Sequence, residues 1–128
     1  MKKKPKILLI EDDKQLQKLY KTKFNFKGYE TFIASDGEEA LALASQELPD
    51  LILLDLMLPK IGGLTVLRAL KENSATKNIP VIILSALSES QVMTDGLAYG
   101  AMLYLTKEKT VPSQVLESIE KALKKKNE

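Results

Sequence analysis

Residues 49–60 read PDLILLDLMLPK, and the position of Asp55 in that stretch decides the fold. Leu51, Ile52, Leu53 and Leu54 form an unbroken apolar run, and a carboxylate follows at once. Such a continuous run suits a strand covered on both faces, as in a parallel sheet. Burying a charge is costly unless it is paired or bound to a metal. Asp55 is therefore expected at the strand's end, where the core stops and a site begins.

Four further runs stand beside Leu51–Asp55: Lys6–Ile10, Glu30–Ala34, Val81–Ser85 and Ala101–Leu105. The stretches between them carry a helical period. Leu16, Leu19, Tyr20 and Phe24 share such spacing before Gly28. Asp36 and Glu39 form a carboxylate variant of a capping box ahead of Ala40. Leu64, Leu67 and Leu70 share the face of a helix ending near Asn73. Ser88 is expected to cap a helix that runs to Tyr99. Pro112 suits a first helical turn, with Val115, Leu116, Ile119 and Leu123 continuing its apolar face. Five strand–helix units in series predict an α/β fold with right-handed crossovers. One domain is expected over 1–128, with its core over about 6–124 and short Lys-rich tails.

The bulk chemistry narrows the function. Hydrophobic residues make up 45% and charged residues 28%, an ordinary globular mix. No apolar run approaches the roughly 18 residues of a membrane span. The basic start MKKKPK leads only into Ile7–Ile10, too short for a secretory signal, so a cytoplasmic protein without membrane insertion is expected. Cysteine and histidine are both absent. Thiol and imidazole chemistry are excluded, which leaves Asp, Glu, Ser, Thr, Tyr and Lys. The net charge of +2 is slight. Lys2–Lys4 and Lys124–Lys126 read as solvated tails rather than a direct nucleic-acid surface.

Sites in an open parallel sheet form at the carboxyl ends of the strands, near the point where strand order reverses. Glu11, Asp12 and Asp13 follow the first run, Asp55 ends the third, Ser85 ends the fourth, and Thr106 and Lys107 follow the fifth. With strand order 2-1-3-4-5, Glu11, Asp12 and Asp55 face one another across about 5 Å of sheet spacing. At an effective dielectric near 20, two unit charges that close repel by roughly 3 kcal/mol. A hard divalent cation relieves this, since Mg²⁺ prefers carboxylate oxygens and water. Lys107 adds a fixed positive charge and Ser85 a hydroxyl donor, so the corner becomes a cradle for a phosphoryl group with Asp55 as nucleophile. A nucleotide or flavin site needs backbone amides in a Gly- or Ser/Thr-rich loop after the first strand. The Glu-Asp-Asp loop here selects a metal first.

The motifs ILLIEDD, LILLDLMLP, IILSA and YLTK, taken in order, resemble the receiver domain of two-component response regulators, and the resemblance covers Lys6 to about Lys124. It implies a flavodoxin-like, doubly wound, five-stranded sheet with five helices, similar to single-domain chemotaxis regulators. It implies Asp55 as phospho-acceptor and Mg²⁺ (or Mn²⁺) held by Asp12 directly, by Glu11 through water, and by Asp55 and the backbone carbonyl of Met57. Ser85 and the backbone N–H of Ala86 would bond the phosphoryl group, and Lys107 would pair with one of its oxygens. Tyr104 would be the aromatic switch, turning inward once Ser85 is drawn to the phosphate. Met57 and Leu87 would flank the path of hydrolytic water. The donor would be the phosphohistidine of a sensor histidine kinase or phosphotransfer protein. The downstream target would meet the face formed by about Ser88–Lys126, and the protein would be a monomer or a weak phosphorylation-dependent dimer. It would be a regulatory domain rather than an enzyme, assisting only its own phosphorylation and autodephosphorylation.

Two positions depart from the family pattern. Glu108 follows Lys107 where the family has a cis proline, so that bond is expected to be trans with a re-routed loop, or cis at a cost of roughly 3 kcal/mol. Gly62 stands where an Asp or Asn is common, which loosens the loop and removes a helix cap. Two other readings remain open. An aspartate-nucleophile phosphatase would need an acid two residues after Asp55, where Met57 stands. A degenerate receiver used as a constitutive docking module is at odds with the complete acidic set. No DNA-binding helix-turn-helix follows, so a stand-alone regulator is the direct reading, although a piece of a longer one would look the same.

Overall fold

A computed structural model describes residues 3–126. Lys2 of the basic start and the two positions after the last helix lie outside the described residues. The chain alternates strand and helix: β1 (Lys6–Ile10), α1 (Lys14–Phe26), β2 (Glu30–Ala34), α2 (Gly37–Glu47), β3 (Leu51–Leu54), α3 (Gly63–Glu72), β4 (Val81–Ser85), α4 (Ser90–Ala98), β5 (Leu103–Thr106) and α5 (Pro112–Lys126). All strand pairs are parallel, as the continuous apolar runs predict, and their order is β2-β1-β3-β4-β5, the one that brings the acidic strand ends together.

The continuous apolar runs have a direct explanation. Successive strand residues point to opposite faces, and both faces are covered. Leu8, Ile10, Ile52, Leu54, Val81 and Ile83 face one layer, against Ala40, Ala44, Val66, Leu67 and Leu70 of α2 and α3. Ile7, Leu9, Leu51, Leu53, Ile82 and Leu84 face the other, against Tyr20 and Phe24 of α1 and Val115, Ile119 and Leu123 of α5. Each residue of β3 is buried because each has a helix over it.

Three local expectations need correction. The capping box at α2 is shifted: Asp36 accepts from the Glu39 N–H at 2.9 Å, but Glu39 reaches back to the Ser35 N–H at 2.6 Å, one residue further than the motif specifies. Ser88 does not cap α4. The helix begins at Ser90 behind Glu89, whose side chain makes no cap bond, and the segment before it is tied at Leu87 by bonds to both its N–H and its carbonyl. β5 begins at Leu103 rather than Ala101, since the Ala101 N–H still closes α4 on the Gly96 carbonyl. That two-residue delay lets β5 run to Thr106, opposite Ser85.

The loop from Leu56 to Gly62 sets the flank of Asp55. The Leu56 carbonyl accepts from both Leu58 N–H (3.1 Å) and Gly63 N–H (2.9 Å), which closes the loop into a ring. Lys60 has φ 68, and Ile61 N–H bonds the Pro59 carbonyl at 2.8 Å across it, a γ-turn of the rare positive-φ kind. Ile61 rests on Gly37, and Lys60 Nζ lies 3.4 Å from Asp36. Gly62 caps α3 without a side-chain bond, as expected, but these ties hold the loop that Gly62 was expected to loosen. A Cβ on Gly63 would stand 2.3 Å from the Leu56 Cα and 2.7 Å from the Asp55 carbonyl. Both obstacles are backbone and cannot rotate away. Gly63→Ala is expected to destabilise by about 3 kcal/mol, read as a lower urea midpoint at unchanged slope; an unchanged midpoint would show that the ring is slack.

Candidate functional site

Strand order reverses between β1 and β3, and the site forms at their carboxyl ends, as the rule for open sheets requires. Ile10 and Leu54 are register partners. One step beyond them, the Asp55 N–H bonds the Ile10 carbonyl and the Glu11 N–H bonds the Ala34 carbonyl, each at 3.0 Å. The ladder therefore continues just far enough to fix the backbone of both acids. Glu11 and Asp55 are each only 4% exposed, and Asp12 is exposed beside them. Carboxylate oxygens of all three lie within 4.8 Å of one another.

One cation holds this corner together. Lys107 Nζ lies 2.9 Å from Glu11 Oε1 and 2.8 Å from Asp55 Oδ2. The remaining oxygens are also engaged: Asp55 Oδ1 accepts from the Met57 N–H at 3.1 Å and Glu11 Oε2 from the Asp13 N–H at 3.0 Å. No peptide bond among the described residues is cis, so the Lys107–Glu108 bond is trans. The chain makes a short 3₁₀ turn over Lys107–Lys109 instead, and the lysine still reaches both acids.

The electrostatics follow from burial. Burial pushes the Glu11 carboxyl up from its ordinary 4.5, against the pull of Lys107 and the Asp13 N–H, and Asp55 adds repulsion. Burial disfavours the Lys107 ammonium, but the hydrogen bonds to Asp55 and Glu11 outweigh it and raise its value above 10.5. The raised Glu11 value has a definite sign. Above 4.5 the folded state keeps a proton that the unfolded chain has released, so stability falls as pH rises through the raised value. Glu11→Gln is expected to flatten that slope in metal-free protein, measured as urea midpoints across mildly acidic pH; an unaltered slope would remove Glu11 as its source.

Ser85 is fully buried at the end of β4, and its Oγ accepts from the Leu87 N–H at 3.3 Å and lies beside the Tyr104 hydroxyl. Ala86 is exposed just after it. Tyr104 lies inward, 8% exposed, and its hydroxyl donates to the Leu87 carbonyl at 2.6 Å. Met57 is 54% exposed and Leu87 half-buried. One neighbour went unseen in the sequence: Gln17 of α1, whose buried amide donates to the Glu11 carbonyl and to Ser35 Oγ. A polar residue on the buried side of a helix was its only signal.

Residues 7–120 match the response regulator receiver domain family. The chain is 45% identical over 103 residues to the DNA-binding dual master transcriptional regulator RpaA of Synechocystis, a match covering 80% of this chain and 43% of that protein. It is 41% identical over 102 residues to response regulator PleD of Caulobacter vibrioides, covering 80% and 22%. The chain thus spans less than half the length of either relative. Among solved structures, the receiver domain of the Francisella response regulator 1452 superposes with TM-score 0.87 at 36% identity, covering 95% of this chain and 98% of that one. A CheY-like receiver domain protein from Methanospirillum hungatei gives 0.90 at 27% identity, covering 97% of each. No described helix is long and apolar enough to cross a membrane. With its fold, its acidic corner and the family match over most of its length, the chain belongs to the receiver domain family of two-component response regulators.

Proposed function

We propose that Asp55 accepts a phosphoryl group from the phosphohistidine of a sensor histidine kinase or phosphotransfer protein, and that the modified domain then presents an altered face to a downstream protein. The observation that carries this reading is the single ammonium of Lys107 bridging two buried carboxylates from different strand ends. The donor set fits Mg²⁺ or Mn²⁺: Glu11, Asp12 and Asp55 offer only hard oxygens, gathered within 4.8 Å of one another, and the Met57 carbonyl would be a further ligand. When bound, the ion supplies positive charge against the phosphoryl oxygens.

The chain's own groups do the rest. An Asp55 oxygen attacks phosphorus in line; the P–O bond forms as the P–N bond breaks, and the leaving imidazole keeps the electron pair. Lys107 shifts from the carboxylates to a phosphoryl oxygen. Ser85 donates its hydroxyl proton to the phosphoryl group, and the Ala86 N–H donates beside it. Positioning and charge neutralisation suffice for such a transfer. No free substrate is turned over, and hydrolysis of the acyl phosphate is the domain's own autodephosphorylation.

Met57 and Leu87 flank the path of the attacking water, and neither side chain can orient it. The acyl phosphate is therefore expected to be long-lived for such a domain. Met57→Asn or Leu87→Glu should speed phosphate loss severalfold, followed by mass measurement over time; equal decay in both variants and the parent would reject the role of these positions. On the output side, Leu97 of α4, Met102 just before β5 and Leu103 of β5 are exposed apolar residues within the face proposed for the partner.

Beryllofluoride with Mg²⁺ tests the whole reading. Shifts in the NMR signals of residues near 11, 55 and 85 are expected in the parent and not in Asp55→Asn. Signals unmoved in the parent would leave only a docking module, and turnover of a chromogenic phosphate ester would favour the phosphatase.

A further inference from the structure

Tyr104 is joined to Ser85 through one peptide unit on either side of Leu87. The phenol holds the Leu87 carbonyl at 2.6 Å, and the Leu87 N–H holds Ser85 Oγ at 3.3 Å. A displaced ring therefore pulls on the residue that fixes the hydroxyl beside the acceptor. What seats the ring is on α4. Gly96 lies buried in the last turn of that nine-residue helix. A Cβ there would stand 2.8 Å from Ile83 Cδ1, and 3.2 Å and 3.5 Å from Cδ2 and Cε2 of the Tyr104 ring.

Helix propensity argues against glycine at this place. α4 is short and has no side-chain cap at its N-terminus, so alanine would be the better helix former. The ring accounts for the glycine. Ile83 Cδ1 is the tip of a side chain and can swing aside, whereas the Tyr104 ring, held by its hydroxyl bond and by β5, would have to give by a few tenths of an ångström against those ties.

We propose that Gly96 is a positioning residue: the gap at its α-carbon seats the Tyr104 ring inward, and through Leu87 this sets the Ser85 hydroxyl. α4 thereby controls the balance between inward and outward Tyr104. Only the last link, to Ser85, rests on the function proposed above.

The test uses the full chain as Gly96→Ala, Tyr104→Ala, the double variant and Tyr104→Phe. Propensity alone raises the thermal midpoint for Gly96→Ala equally in both backgrounds. The seat predicts a rise only beside Tyr104→Ala, with no rise or a fall in the parent. NOEs from the Tyr104 ring to the Ile83 methyls are expected in the parent and lost in Gly96→Ala. Equal rises in midpoint with the NOEs intact would overturn the proposal.

Affinity for beryllofluoride with Mg²⁺ reads the link to Ser85. It should fall by about fivefold to tenfold in Gly96→Ala, with no further fall when Gly96→Ala is added to Tyr104→Ala. Tyr104→Phe, which keeps the ring and cuts the Leu87 bond, should lose affinity comparably with the ring NOEs retained. A lost seat with unchanged affinity would overturn the link. Failure of the parent to bind beryllofluoride would instead refute the acceptor reading, and the midpoints and NOEs would then decide the seat alone.

Discussion

Replacing Lys107 with Met is expected to destabilise the metal-free protein by about 3 kcal/mol and at the same time to tighten its hold on Mg²⁺. Lys107 lies 2.9 and 2.8 Å from two carboxylates that are nearly inaccessible to water. Removing one partner of a buried ion pair costs roughly 3–5 kcal/mol, because the other charge is left uncompensated. The lysine side chain keeps 25% of its exposure, which places the expected loss at the lower end. Methionine keeps the apolar stem and removes only the charge. The same bonds make the ammonium a competitor for the oxygens that would bind a metal, so its loss should lower the Kd for Mg²⁺ by about tenfold. Urea unfolding in chelator and in excess Mg²⁺, with calorimetric titration, reads both effects. Stability should return with the metal, since binding to the folded state alone stabilises it. Phosphorylation should still fail, because the group that pairs with the phosphoryl oxygen is gone. A variant as stable as the parent in chelator, or one that binds Mg²⁺ more weakly, would show that Lys107 is not the counter-charge of this corner.

Asp55→Asn should act in the opposite direction on stability. The three carboxylates gather their oxygens within 4.8 Å, and each unit-charge pair at that distance repels by about 3.5 kcal/mol at an effective dielectric near 20. Losing the Asp55 charge relieves two such pairs and gives up one bond to Lys107, which remains paired to Glu11 at 2.9 Å. Asparagine is isosteric, and its carbonyl oxygen can keep the Met57 N–H bond. The net expectation is a gain of about 1 kcal/mol in chelator, a Kd for Mg²⁺ weakened by about tenfold, and no phosphorylation. Stability curves that coincide in chelator would mean that the corner carries no net repulsion.

The sheet and the acidic corner were legible in the sequence for a shared reason. Strands buried on both faces must be apolar throughout, so ILLI, LILL and VIIL announce themselves, and a carboxylate ending such a run has nowhere to go but the strand's end. Strand order then brings Glu11, Asp12 and Asp55 together without any side-chain detail. What stayed hidden depends on single hydrogen bonds between distant residues. The segment before α4 is tied by Tyr104, seventeen positions along the chain from Leu87, through that residue's carbonyl. The Asp36 cap was visible because it acts within one turn, while the shift of its Glu39 partner to Ser35 was not. Lys60 takes a positive φ that its side chain does not favour, held by the packing of Ile61 on Gly37, the Ile61 bond to Pro59 and the pairing of Lys60 with Asp36.

Intact-mass measurement after incubation with acetyl or carbamoyl phosphate tests the central claim most directly. In the presence of Mg²⁺ the parent chain should gain the mass of one phosphoryl group, lose it on hydroxylamine treatment, and gain nothing in chelator or as Asp55→Asn. An adduct that persists in Asp55→Asn, or a parent chain that stays unmodified with Mg²⁺ present, would contradict it.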